Sequence, residues 1–406
     1  MPNSYNLLLN SQPADSTLYT LIHSVTVEES MDMPAAVEIT LPVSRATGGD
    51  ITYISDGRFA PLAPLAVIAS AGGSGAQGVA AGAVGAVAGA LSGGAAPSGT
   101  QCIFDGYVLS QKLHLETGIT NSTLTIWGQD ASWLMNQTEK VREWVNVTDT
   151  AVAAAIFGDY PQLNITPSDQ NTQDDSPTHT EDTHSLMQRG SDIVFLRMLA
   201  RRGGKVCRIA CNDKPGTRTG YFAAPKLDGD PAVSISLNDP SNWTVDSIDL
   251  EWDTTRPSAV TARSALFSDA DANSAVGDTT DSGLKPLAAR PLAAFTGQPM
   301  TVLLASIVDS AGELTQRARG VLREADWFIR CEGEADAARL GVVLRAGMLV
   351  NFIGLGALHS GNWIVWTVRH RLTTEAHKMR FQLLRNAAGN PSSGGAGGLS
   401  GLLGAA

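Results

Sequence analysis

Short apolar runs that alternate with polar positions dominate this chain, the period-two signature of half-buried strands. Residues 5–45 read as β-structure, with clear alternation over residues 19–27 and Ala36–Pro42, and residues 65–68 and 102–109 add two more strands. Further strands are predicted at 205–210, 247–252, 258–263 and 327–331, and a hairpin set runs from Leu340 to Leu384. Helical signals are fewer. Residues 148–157 are apolar behind a Thr or Asp cap. Residues 191–204 have Ser191 at the N-cap, Asp192 in the positive first turn, Arg201 and Arg202 at the negative end and Gly203 as a left-handed exit. Val194, Leu199 and either Phe195 or Leu196 would form its buried stripe. Ser310-Ala-Gly-Glu313 is a capping box that opens a third helix, ending near Ala325.

One hairpin pattern occurs twice, about 255 residues apart. The first copy contains Gly106, Tyr107, Val108 and His114, and the second contains Gly361, Trp363, Val365 and His370. Gly to His is 8 residues in the first copy and 9 in the second. A unit used twice can place two like surfaces side by side, which makes these eight residues the candidate interface.

The copies differ at the hairpin tip. The second has a short turn over residues 354–359. In the first, a stretch of about 30 residues (69–99) takes its place, and no charge occurs between Arg58 and Asp105. Gly78, Gly82, Gly85 and Gly89 give this insertion small-residue spacing suited to close helix approach. Two readings stand: a flexible loop, or an element that lines or plugs a pore where copies meet. Its apolar core of 13 residues would reach only about 20 Å as a helix, short of a bilayer, so no stable membrane insertion is expected. The tail 387–406 is also free of charge and reads as flexible or as a docking strand.

At 406 residues the chain can hold two to four domains. Its 40 acidic and 29 basic residues leave a net charge of −11, which disfavours gripping nucleic-acid phosphates and is compatible with a surface that nucleic acid slides past. The N-terminus shows no secretory leader, and four scattered cysteines fit reduced thiols made in a cytoplasm. Cys207 and Cys211 on one strand face would lie about 13 Å apart, too far for a disulfide.

Catalytic signals are weak. No nucleophile elbow, zinc-protease helix or phosphate loop occurs. His179 and His184 flank two acids but have no third ligand, and a solvated polar loop is the simpler reading. Glu332 and Glu334 share a strand face and read as surface charges rather than a hydrolase pair. No catalytic residue, cofactor or metal site is therefore expected.

Three segments together resemble one family: residues 124–135 with 145–149, residues 186–204, and residues 344–386, which include Gly354-Leu-Gly356 and Ser360-Gly-Asn-Trp-Ile-Val365. They resemble the late-control D proteins of contractile-tailed phages, the baseplate hub module that also begins the valine-glycine-repeat spike proteins of type VI secretion. The resemblance implies a β-rich α+β fold with two tube-protein-like β-barrel domains and smaller α/β domains. Expected segments are 1–135 for the first barrel, 136–240 for an α/β middle domain, 241–266 with 340–386 for the second barrel, and 267–339 for a helix-containing insert. It also implies a homotrimer forming a pseudo-sixfold ring between a sixfold tail tube and a threefold spike; this chain departs from the fused hub-spikes in reaching residue 406 without their oligonucleotide-binding and needle modules, so the spike is expected to be a separate protein. Other baseplate proteins would surround the ring, and DNA or effector would pass through its lumen without specific binding. Such a protein is assembled in the bacterial cytoplasm and resides in a virion or injection particle. Two other classes stay open: a baseplate-associated cell-wall hydrolase, and a host-surface binding protein.

Overall fold

The computed structural model describes residues 5–45, 48–54, 57–71, 100–117, 121–172, 177–181, 185–237, 243–264, 276–306, 308 and 311–389. The insertion glycines Gly78, Gly82, Gly85 and Gly89, the cap Ser310, His184 and all but the first residues of the tail lie outside them.

The N-terminal part builds β1 (Tyr5–Leu9), β2 (Gln12–Pro13), β3 (Ser24–Ser30), β4 (Ala36–Pro42), β5 (Pro64–Ser70), β6 (Thr100–His114) and β7 (Thr123–Asp130). All pair antiparallel, in the order β3-β4-β7-β6-β5-β1-β2. Alternation sets which face is inside: Val25, Val27, Val37, Ile39, Leu41, Leu124 and Ile126 are all in the main core. Residues 19–21, expected in a strand, instead end a helix over Ser16–Leu21. The Asp15 side chain accepts from Leu18 N at 3.0 Å and starts that helix, so extended structure begins only at Ser24.

The middle segment forms β8 (Glu139–Trp144), β9 (Ile165–Pro167), β10 (Leu186–Ser191), β11 (Val206–Cys211) and β12 (Arg218–Ala223). β8 pairs with β10, and β11-β12-β9 make a separate small sheet. Two helices, Asp149–Gly158 and Asp192–Arg202, share a core with them through Ile156, Phe157, Phe195 and Leu199. Thr148 caps the first, accepting from Ala151 N at 3.2 Å. In the second, Val194 is 53% exposed and the stripe is Ile193, Phe195, Leu196, Leu199 and Ala200, because the helix is covered on two sides. Its left-handed exit is Gly204 (φ +60°), one residue beyond the expected Gly203. A Cβ there would sit 2.8 Å from the Gly320 carbonyl oxygen, so the glycine permits a close helix contact.

The C-terminal part supplies β13 (Val233–Ser236), β14 (Val245–Trp252), β15 (Ala259–Ser264), β16 (Thr301–Ser306), β17 (Ile329–Asp336), β18 (Leu349–Ile353), β19 (Gly361–Leu372) and β20 (His377–Arg385). β15 and β16 pair in parallel, apart from the main sheet, and helix Ala311–Ala325 packs on them through Leu314, Ala318 and Leu322. The other six follow the order β14-β17-β20-β19-β18-β13. Pairing therefore differs from the expected segment ends at three places. β13, assigned to the middle segment, and β17, assigned to the insert, belong to the main sheet, whereas β15 does not. β19 then pairs antiparallel with β3, which joins both parts into one 13-stranded sheet among the described residues.

Candidate functional site

The repeated hairpins are β6–β7 and β19–β20, and each carries one register shift, between Val108 and Ser110 and between Val365 and Thr367. Val108 and Val365 are equivalent and both are buried. The two histidines are not equivalent. His114 lies 6 residues beyond its valine and His370 lies 5 beyond, and one residue turns a strand side chain to the opposite face. His114 is exposed and bonds Glu116 through Nε2 at 3.1 Å. His370 is wholly buried, its Nδ1 3.0 Å from Nε2 of His377. Burial, joined by the neighbouring His377 and Arg345 charges, keeps His370 well below the usual imidazole range; burial likewise pushes His377 down to about 4.

The remaining candidates are mostly internal. Gly106 is buried where β6 crosses β7, and a Cβ there would lie 2.1 Å from the Gln129 carbonyl oxygen. Gly361 is buried and required for another reason, a φ of +119°. Trp363 is fully buried and donates from Nε1 to His359 O at 3.0 Å. Tyr107 is half-buried against the middle core. Six of the eight residues are thus buried, and accessible positions on these hairpins include Lys112, Leu113 and Leu115 beside His114, and Arg369 and Arg371 on β19.

Sequence reasoning missed the charged junction where three regions meet. Arg345, just before β18, donates from Nε to both Glu29 oxygens of β3, at 2.7 and 2.8 Å. Its Nη1 donates to Cys102 O on β6 at 2.7 Å and its Nη2 to Cys211 O on β11 at 3.3 Å. Cys211 Sγ also donates to Cys102 O at 3.1 Å. Burial opposes the Arg345 charge, but Glu29 and the neighbouring thiols outweigh it and push the guanidinium above its ordinary range. No local pattern links Glu29 to Arg345, 316 residues away, so only the tertiary pairing reveals the bridge.

The other buried carboxylates are also engaged. Asp149 accepts from Arg202 Nη2 at 2.9 and 3.1 Å and lies 2.8 Å from His179 Nε2. Burial resists its ionisation, yet the His179 bond and the Arg202 charge hold it below the usual carboxylate range. His179, considered above as a metal ligand, spends that nitrogen on its hydrogen bond with Asp149. Asp105 pairs with Arg218 at 2.9 Å and accepts from Gly216 N at 2.8 Å. Among the described residues no three His, Cys, Asp or Glu side chains gather as a metal site, and no helix is long and apolar enough to cross a membrane. Glu332 accepts from Gln382 at 3.1 Å, and Glu334 is exposed. An 810 Å³ cleft lies between helix Asp192–Arg202 and Trp327 and Trp366, lined by Arg197, Arg201 and Arg330, and at its wall Ser30 Oγ donates to Asp32 Oδ1 at 2.6 Å.

No family model and no curated protein matches the sequence. Solved structures do match the fold. A tail protein from Neisseria meningitidis superposes with a TM-score of 0.61 at 12% identity, covering 95% of this chain and 97% of that one. The 43 kDa tail protein of prophage MuSo2 from Shewanella oneidensis gives 0.60 at 12% identity, with 95% and 98% covered. This is the fold of phage tail proteins. A chain of the Francisella PdpA–VgrG complex also shares the tail-protein fold, with a TM-score of 0.52 at 9% identity over 98% of this chain and 54% of that one. At such identities the likeness is one of architecture, and it covers both hairpin copies and the middle segment together.

Proposed function

We propose that this chain is the structural baseplate hub of a contractile tail or tail-like injection device, working as a homotrimer. The observation that carries the proposal is the duplication: β3-β4-β7-β6-β5-β1 and β14-β17-β20-β19-β18-β13 run through the sheet in the same order. Three chains with two such half-sheets each present six like units, which is what a threefold object needs to meet a sixfold one. Each half-sheet is the expected tube-like unit, and the segments near 136–228 and 254–326 decorate the ring. One face would dock the tail tube and the other a separate spike protein, with further baseplate proteins at the periphery. Cargo, DNA or effector, passes through the lumen, where a net charge of −11 disfavours sticking of polyanions. The accessible faces of the two hairpins, rather than their buried side chains, supply the contacts. The role is structural, in line with the tail proteins that share the fold and with buried charges that serve packing.

Electron cryomicroscopy of the purified chain tests this reading. Threefold rings with six similar lobes and a central channel are expected. Single-chain particles at all concentrations would overturn it. Dye release from labelled peptidoglycan, run on the same sample, is expected to stay at background; sustained release would replace the structural role with a hydrolase.

A further inference from the structure

The two halves differ in one decisive way. The outer edge of β19 is paired and the equivalent edge of β6 is not. β19 holds β20 on one side and, over residues 367–372, β3 on the other. β6 pairs with β7 through His114, but its partner on the other side, β5, reaches only Tyr107. Among the described strands nothing pairs with the outer edge of residues 110–114. The equivalent of β3 in the second half is β14, and β14 ends the sheet, paired only with β17. The chain therefore carries one satisfied junction and the two separate halves of a second. Unpaired edges of this kind are templates for another chain.

The register of the satisfied junction can be carried over. From the matched register shifts, Val108 corresponds to Val365. The ladders then match Gly128 to Leu383, Val37 to Cys331 and Val27 to Leu250. Inside the chain His370 stands opposite Val27, and Arg369 opposite Glu28. The same geometry between copies sets Leu113 opposite Leu250 and Lys112 opposite Glu251. The next positions on each side put Leu115 opposite Ile248, and His114 opposite Asp249.

We propose that the outer edge of β6 over residues 110–115 pairs antiparallel with the outer edge of β14 of a second copy, in this register. The side chains fit it without adjustment. Leu113 and Leu115, the second just beyond the end of β6, are 37% and 54% exposed, and they meet Leu250 and Ile248, which are only partly covered. On the opposite face two basic or titratable groups meet two carboxylates, repeating the Arg369–Glu28 pairing of the internal junction. Each copy has one β6 edge and one β14 edge, so the contact is head-to-tail and closes into a ring of alternating internal and intermolecular junctions. The closure at three copies rests on the hub reading above; the pairing itself rests on the duplication.

Cysteine cross-linking with the full chain tests it. Lys112→Cys combined with Glu251→Cys, oxidised in solution, is expected to give two- and three-chain species on a denaturing gel. Each single variant, and Lys112→Cys with the off-register Asp246→Cys, is expected to give none. Lys112→Glu is expected to lower the trimer fraction, and adding Glu251→Lys to restore it, which guards against variants that merely fail to fold. Native mass is read on the same samples. A trimer lacking the cross-link, or cross-linked only off register, would overturn the junction and leave the trimeric hub standing. Ladders beyond three chains would overturn the closure, and a monomer without cross-links would overturn both.

Discussion

The first and second half-sheets share strand order, chain order and the position of a register shift, yet they solve three local problems differently. Their outermost pairs run oppositely, β1 with β5 antiparallel and β13 with β18 parallel. Their hairpins need glycine for different reasons, a close crossing at Gly106 and a positive φ at Gly361. Their histidines face opposite ways, with His370 in the core and His114 in solvent. The comparison teaches that the pairing order carries the duplication, while the side chains on the two halves differ. The internal junction is locked by a buried charge network around Arg345, and the edges left over keep exposed leucines and charges.

Arg345→Ala should be the most damaging change, because it strands Glu29 at the contact of both halves and the middle segment. Losing one partner of a buried ion pair costs about 3–5 kcal/mol, so the urea midpoint should fall sharply, with a smaller fall for Glu29→Gln. An unchanged midpoint would mean that the halves hold together without the bridge.

Gly106→Ala and Gly361→Ala sharpen the comparison of the two crossings. The first places a methyl group against the Gln129 backbone and should cost more than the roughly 1–3 kcal/mol of a strained φ expected for the second. Equal midpoints would show that the crossings are equivalent after all.

Acid should weaken the second half first. His377 lies near 4 when folded and near 6.5 when unfolded, and His370 is shifted the same way, with Asp336 pulling His377 upward and Arg345 pressing His370 down. A depressed imidazole contributes stability that is complete above about pH 6.5 and is lost as the unfolded state takes up protons toward pH 4. The His377 share is on the order of 3 kcal/mol. Asp326, which burial raises to about 6, works the other way, so its share is lost as pH rises through 6. Denaturation midpoints between pH 7 and 4.5 should therefore fall more steeply in the unaltered chain than in His377→Gln; parallel curves would exclude the pair as the cause.

His114→Ala should leave the denaturation midpoint of the isolated chain nearly unchanged, because its link to Glu116 is exposed. A fall as large as that of His370→Ala would mean that both histidines are internal.

Much of this was legible in the sequence. Alternation located most strands, Thr148 and Asp192 marked two helix starts, and the Gly-to-His spacing exposed the duplication. Three features were not. The helix over Ser16–Leu21 contains Tyr19 and Leu21, whose apolar spacing also suits a strand, and only the Asp15 cap decides. That His114 and His370 stand one residue out of step, and so on opposite faces, is invisible until the register shifts are located beside Val108 and Val365. The Glu29–Arg345 bridge and the β19–β3 ladder join residues more than 300 positions apart, and a single sequence carries no signal at that range.

The native mass of the full chain in solution bears most directly on the claim that two half-sheets per chain serve a ring. Three copies of the 42.5 kDa chain are the predicted species. A mass of one chain that persists at every concentration would contradict it.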